Sequence, residues 1–127
     1  MYRIVDIETD IRNVVEKYRL GHLLKAKIAV VYNSSSRSKA VARIWGLGKI
    51  FQIAYGLEPA YVIELLPAFT TLTCREKVRA IAHELAHIPS TGNGTTRPHN
   101  TAFWRDYKTY SALFKCSDFP SLQRGKA

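Results

Sequence analysis

Residues 73–89 read TCREKVRAIAHELAHIP. Thr73 and Glu76 stand at capping-box spacing, in which the threonine oxygen takes a free helix amide and the glutamate reaches back to the cap. A helix is expected to begin there, with Val78, Ile81, Ala82, Leu85 and Ile88 as its buried stripe. Pro89 should end it, because the residue before a proline avoids the helical region.

Inside that helix, His83, Glu84 and His87 carry the chemistry. At about 3.6 residues per turn the two histidines project from one face, one turn apart, and can grip one metal ion together. Glu84 is displaced around the helix, so its carboxylate can reach a water on the metal without becoming a ligand, as in HExxH zinc peptidases. Average residue frequencies put a chance occurrence of these three positions at about 0.5% for a chain of this length. Incidental surface histidines are therefore a poor account, the more so because three of the four histidines fall between His83 and His99.

A catalytic zinc site needs a third protein ligand and one position open to water. The extended metzincin pattern would require Gly at 90 and His at 93, where this chain has Ser90 and Asn93, so that class is excluded. Residues 89–98 are rich in Gly, Ser, Thr and Asn and read as a loop, with a last helix expected from about Pro98 to Phe114. His99 directly follows the loop and is favoured as third ligand, histidine being the more selective zinc donor. Asp106 is the alternative, either as ligand or as a carboxylate bonded to a ligand histidine. Such an ion lowers the pKa of bound water, and Glu84 would take the proton during attack on a peptide bond. Tyr107, Tyr110 and Arg97 are candidate donors to the developing oxyanion, and none is singled out.

Upstream, apolar residues from Ile4 to Tyr18 recur at helical spacing, giving a first helix over roughly 7–20 with Gly21 as its stop. Four short strands are expected at Ala26–Tyr32, Val41–Trp45, Ile50–Tyr55 and Tyr61–Leu66. Their short connections favour mostly antiparallel pairing. The last of them could be an exposed edge where an extended substrate pairs by main-chain hydrogen bonds. His22 has no motif around it and reads as a helix-end histidine. Residues from about 120 to 127 read as a frayed tail.

The chain has 127 residues and a formal charge of +9, from 19 basic against 10 acidic side chains. That length suits a single domain, 1–127. The charge points to acidic partners, nucleic acid among them. No apolar run approaches the roughly 20 residues of a membrane span, and the N-terminus lacks the pattern of a secretory signal. A cytoplasmic protein with no membrane partner is the expectation. Cys74 and Cys116 do not form a disulfide framework by count or spacing and read as reduced thiols.

Three stretches, SRSKAVARIWGLGKIFQ, AYVIELLPAF and IAHELAHIPSTGNGTTRPHNTAFW, resemble the metallopeptidases found in phages and archaea, which are similar to SprT-like and WLM-type minimal zincins. The resemblance covers about residues 35–107, and its specific part is HELAHIP, the Gly-containing loop and RPH. It implies an α+β, zincin-like fold with an N-terminal helix, a small sheet of three or four strands, a metal helix and a C-terminal helix. It also implies one Zn2+ on His83, His87 and His99, Glu84 as catalytic acid/base, and a peptide or protein substrate. In SprT and WLM relatives the third histidine is often followed by glycine, where this chain has Asn100. Similarity to SprT-like proteins, some of which act on proteins attached to DNA, and the positive charge imply a second reading, a DNA-associated module whose metal is mainly structural.

Overall fold

The computed structural model describes residues 1–123. In chain order the elements are strand β1 (Tyr2–Arg3), helices α1 (Val5–Lys17) and α2 (Gly21–Leu24), strands β2 (Lys27–Tyr32) and β3 (Ala42–Gly46), helix α3 (Lys49–Tyr55) and strand β4 (Ala60–Leu65). A 3-10 turn at Pro67–Thr71 leads into α4 (Cys74–Leu85), then α5 (Thr101–Leu113) and two further 3-10 turns, Cys116–Asp118 and Pro120–Leu122.

The architecture is α+β, with a four-stranded mixed sheet in the order β1-β2-β4-β3. Antiparallel pairing holds for β1 with β2 and for β3 with β4, but β2 and β4 run parallel, with Val30 opposite Ile63. The sheet is therefore less antiparallel than its short connections suggested. The most deeply buried strand has taken its centre: β4 places Tyr61, Ile63 and Leu65 in the core and inserts between the two strands that precede it. Being central, β4 is not a free edge. The edge beside it is β3, which α4 packs against.

A second correction concerns Ile50–Tyr55, expected as a strand and found as α3. Its apolar residues do not alternate, and Gly56 closes the helix with φ +63, a left-handed C-terminal cap that only glycine takes without strain. Two residues of N-terminal chain, β1, also pair although they carry no strand signal in sequence.

α4 forms as its sequence dictates. Glu76 N–H donates to Thr73 Oγ1 at 3.2 Å, and Thr73 N–H donates to Glu76 Oε1 at 2.9 Å. Val78, Ile81, Ala82 and Leu85 are buried in one core with Ile11 and Val14 of α1, Val30 and Ile63 of the sheet and Phe103 and Tyr110 of α5.

Cys74 and Cys116, read from sequence as reduced, are joined as a disulfide with Cα atoms 6.0 Å apart, an ordinary separation for that bond. It ties the start of α4 to the turn after α5. Folding brings together two residues 42 positions apart, which spacing alone could not show. Part of the expected tail is also ordered: Leu122 is buried, and Ser121 N–H donates to Asp10 Oδ2 at 3.0 Å. Residues 124–127 lie outside the described residues.

Candidate functional site

His83 lies in the last turn of α4 and His87 in the turn just beyond its end, and both are half-buried. His99 reaches them from the residue before the cap of α5. That cap is Asn100, whose Oδ1 accepts from Phe103 N–H at 2.9 Å. The helix thus starts at Thr101, three residues later than Pro98 suggested. Asn100, the departure from the glycine of the relatives, has a capping role of its own.

One potential ligand atom from each of His83, His87 and His99 lies within 4.8 Å of the others, and the ring centroids are 4.9–5.2 Å apart. These three side chains could hold one metal ion. The donor set fits a zinc-type ion: three imidazoles on a half-open surface, leaving a fourth tetrahedral position for solvent or substrate. His87 Nδ1–H donates to Arg97 O at 2.7 Å, which fixes its tautomer and leaves Nε2 to coordinate. Burial is the main cause holding the His87 pKa below its ordinary value, which keeps the ring neutral. His83 Nδ1–H donates to Glu84 Oε2 at 3.0 Å. Glu84 is itself buried, and its carboxylate lines a groove of about 440 Å³ together with Val41, Ala42, Leu72, His83 and Tyr107.

Phe103 makes the floor. Its ring is fully buried, with its centroid 5.0, 4.6 and 4.6 Å from those of His83, His87 and His99. An apolar base of this kind restricts the rings to a few orientations and excludes water from beneath them.

Arg97 clasps the loop to the metal helix. Its N–H donates to His87 O at 2.8 Å and its Nε–H to Ala86 O at 2.8 Å, so it satisfies carbonyls at the end of α4 while its own carbonyl orients His87. Its guanidinium is held by Asp106 at 2.5 Å. Asp106 also pairs with Arg105 at 3.3 Å and stands outside the histidine cluster. Its place is behind Arg97, one residue further from the imidazoles than either role considered from sequence.

The same loop is pinned to the sheet. Tyr61 OH accepts from Gly94 N–H at 2.9 Å and donates to Thr95 O at 2.8 Å. Gly94 has φ +98, and a Cβ there would overlap Leu47 O and Gln52 Nε2, so glycine is required. Tyr61, Gln52 and Arg97 are positioning residues that no local sequence signal marks, because each has a partner ten or more residues away.

Among the candidate oxyanion donors, Tyr110 OH is engaged with His22 Nε2 at 3.1 Å and Arg97 is committed to Asp106 and Ala86. Tyr107 lines the groove, its ring 5.7 Å from that of His83. A larger cavity, between α1, α2 and the β2 side of the sheet, takes its wall from Arg3, Glu8, Arg12 and Leu23 among others and contains none of the histidines.

No curated protein and no solved structure matches the chain. A family model described as "Putative phage metallopeptidase" matches residues 1–124. Since that match spans nearly the whole sequence, the chain belongs to this phage metallopeptidase family.

Proposed function

We propose that this protein is a zinc-dependent, HExxH-type peptidase with a zincin-like site, in which His83, His87 and His99 hold the ion and Glu84 is the general acid/base. The observation that carries the reading is the convergence of three imidazoles within 4.8 Å, one of which, His83, lines a groove together with the buried Glu84. Family membership supports a metal ion and a peptide or protein substrate at the coarser level.

When bound, zinc lowers the pKa of a coordinated water and polarises the scissile carbonyl. Glu84 takes the proton of the attacking water on its carboxylate and passes it to the leaving amine nitrogen. Tyr107 OH, free of the bonds that occupy Tyr110, donates to the carbonyl oxygen as negative charge develops on it. An extended substrate adds to the edge strand β3 rather than to β4, its side chains entering the groove between β3 and α4. β3 is braced for that role: Arg43 Nε–H and Trp45 Nε1–H both donate to Glu64 Oε1 of β4, at 2.8 and 2.9 Å.

Metal content of the chain purified without added metal tests the ligand set, and cleavage of an unfolded protein such as reduced casein tests the role of Glu84. One zinc per chain is expected in wild type, in Glu84→Gln and in Asp106→Ala, and its loss in His99→Ala. Activity should fall about 10²–10⁴-fold in Glu84→Gln with zinc retained. Zinc at full stoichiometry in His99→Ala, or undiminished cleavage by Glu84→Gln, would sink the assignment.

A further inference from the structure

Helix α3 displays its apolar residues instead of burying them. Ile50 and Ile53 are each 74% exposed, Tyr55 71%, Phe51 53% and the following Leu57 49%, while Gln52 alone turns inward, at 7%. Single exposed apolar side chains are ordinary on a protein surface, but five within eight consecutive residues form a patch that calls for a partner. Neither the metal-site groove nor the cavity by α1 takes a wall from residues 49–57.

Charge discriminates among possible coverings. The chain carries +9, and most of its carboxylates are turned in: Glu8, Asp10, Glu64 and Glu84 are buried, and Asp106 and Asp118 are half-buried. α3 contains no acid and begins with Lys49. The preceding strand adds exposed Trp45 and Arg43, the latter paired with Glu64, and the exposed Glu58 that follows the patch is paired with Lys27. Two copies meeting through this face would bring strongly like-charged molecules together. A protein partner would need a surface matched to these five side chains. A fluid head-group region accepts exposed apolar side chains of any shape, and anionic lipid attracts a chain of net positive charge. Tyrosine, phenylalanine and tryptophan are also residues that settle at that boundary.

We propose that α3 docks this protein on an anionic bilayer surface, with Ile50, Phe51, Ile53 and Tyr55 entering the head-group boundary and Lys49 meeting lipid phosphates. The contact is with one leaflet and is reversible. Seven residues of helix rise only about 10 Å, and among the described residues no helix is long and apolar enough to cross a membrane. The sequence expectation of no membrane partner weighed spans and secretory signals, not a peripheral contact. The exposed side chains of α3 lie outside the histidine cluster and its groove, so the docking surface stands independently of the metal-site reading.

Co-sedimentation of the full chain with vesicles of phosphatidylglycerol and phosphatidylcholine in equal parts, against phosphatidylcholine alone, tests the proposal. Wild type should partition onto the anionic vesicles, lose most of that binding on neutral ones, and weaken with added salt. Ile50→Ser/Ile53→Ser should bind about tenfold or more weakly with an unchanged unfolding midpoint, since both side chains are exposed. Tyr55→Ser/Leu57→Ser provides a second variant should the first misfold. Absence of wild-type binding would overturn the proposal. So would equal binding by wild type and both variants, which would leave only diffuse charge, or a dimer of the wild type that the variants abolish, which would put a second copy on the face.

Discussion

Two helices of this chain, α4 and α3, are built inside out with respect to each other. α4 buries Val78, Ile81, Ala82 and Leu85 and leaves His83 half-buried, with His87 half-buried in the turn that follows. α3 turns Ile50, Phe51, Ile53 and Tyr55 outward and buries a single amide, Gln52. In α4 the hydrophobic effect fixes which face is inside, and the metal-site residues occupy what is left over. α3 lacks that orientation. Its place is fixed by two hydrogen bonds from Gln52 Nε2, to Leu47 O and to Asn93 O, each 2.9 Å. One helix is therefore held by packing and the other by a polar peg, and substitutions at equivalent-looking apolar positions should behave differently.

The largest contrast is expected at Leu85, which has no exposed surface. Leu85→Ala removes buried methyl groups and leaves a cavity beneath the metal helix, and should cost about 2–5 kcal/mol of stability. Urea unfolding in the presence of a chelator measures that cost without the contribution of bound metal. A loss under 1 kcal/mol would mean that α4 is not anchored by its stripe, and the comparison with α3 would collapse.

The readability of each region follows the same division. α4 could be located from its capping box, its apolar period and Pro89, because all three signals are local and agree. Its histidines followed once the helix was placed. α3 was misread as a strand because a run of Ile, Phe, Ile and Tyr is ordinarily a buried run, and periodicity says nothing when the apolar residues face outward. The parallel pairing of β2 with β4 and the Cys74–Cys116 bond were illegible for a different reason: they depend on which distant segments meet. His99 could be put forward because its residue type is selective, whereas the positioning roles of Arg97, Phe103 and Tyr61 could not, because Arg, Phe and Tyr serve many purposes.

Polar anchoring also operates at the metal site, and there it can be weakened without touching a ligand. Arg97→Ala removes the bonds to Ala86 O and Asp106 that hold the loop between His87 and His99. If His87 is a metal ligand oriented by this clasp, zinc affinity should drop about ten- to a hundredfold. Competition with a chromophoric chelator reads that change directly. Arg97→Lys should recover little of it, because an ammonium cannot reproduce a guanidinium that serves a helix carbonyl and a carboxylate at once. An affinity equal to wild type in both variants would make the clasp incidental to metal binding.

The smallest effect is expected at Ile53, and it tests the comparison most directly. Sequence reading gives Ile53 and Leu85 the same character, a large aliphatic side chain within an apolar run. Ile53 is 74% exposed, so Ile53→Ala removes surface that folding never took from water, and its effect should stay within about 0.5 kcal/mol. Alanine also has the higher helix propensity, which favours the variant slightly within a seven-residue helix. The same urea titration used for Leu85→Ala decides the matter. A cost approaching that of Leu85→Ala would show that Ile53 is covered in solution by another part of the chain or a second copy. The apolar face of α3 would then be an internal contact rather than a surface offered to a partner.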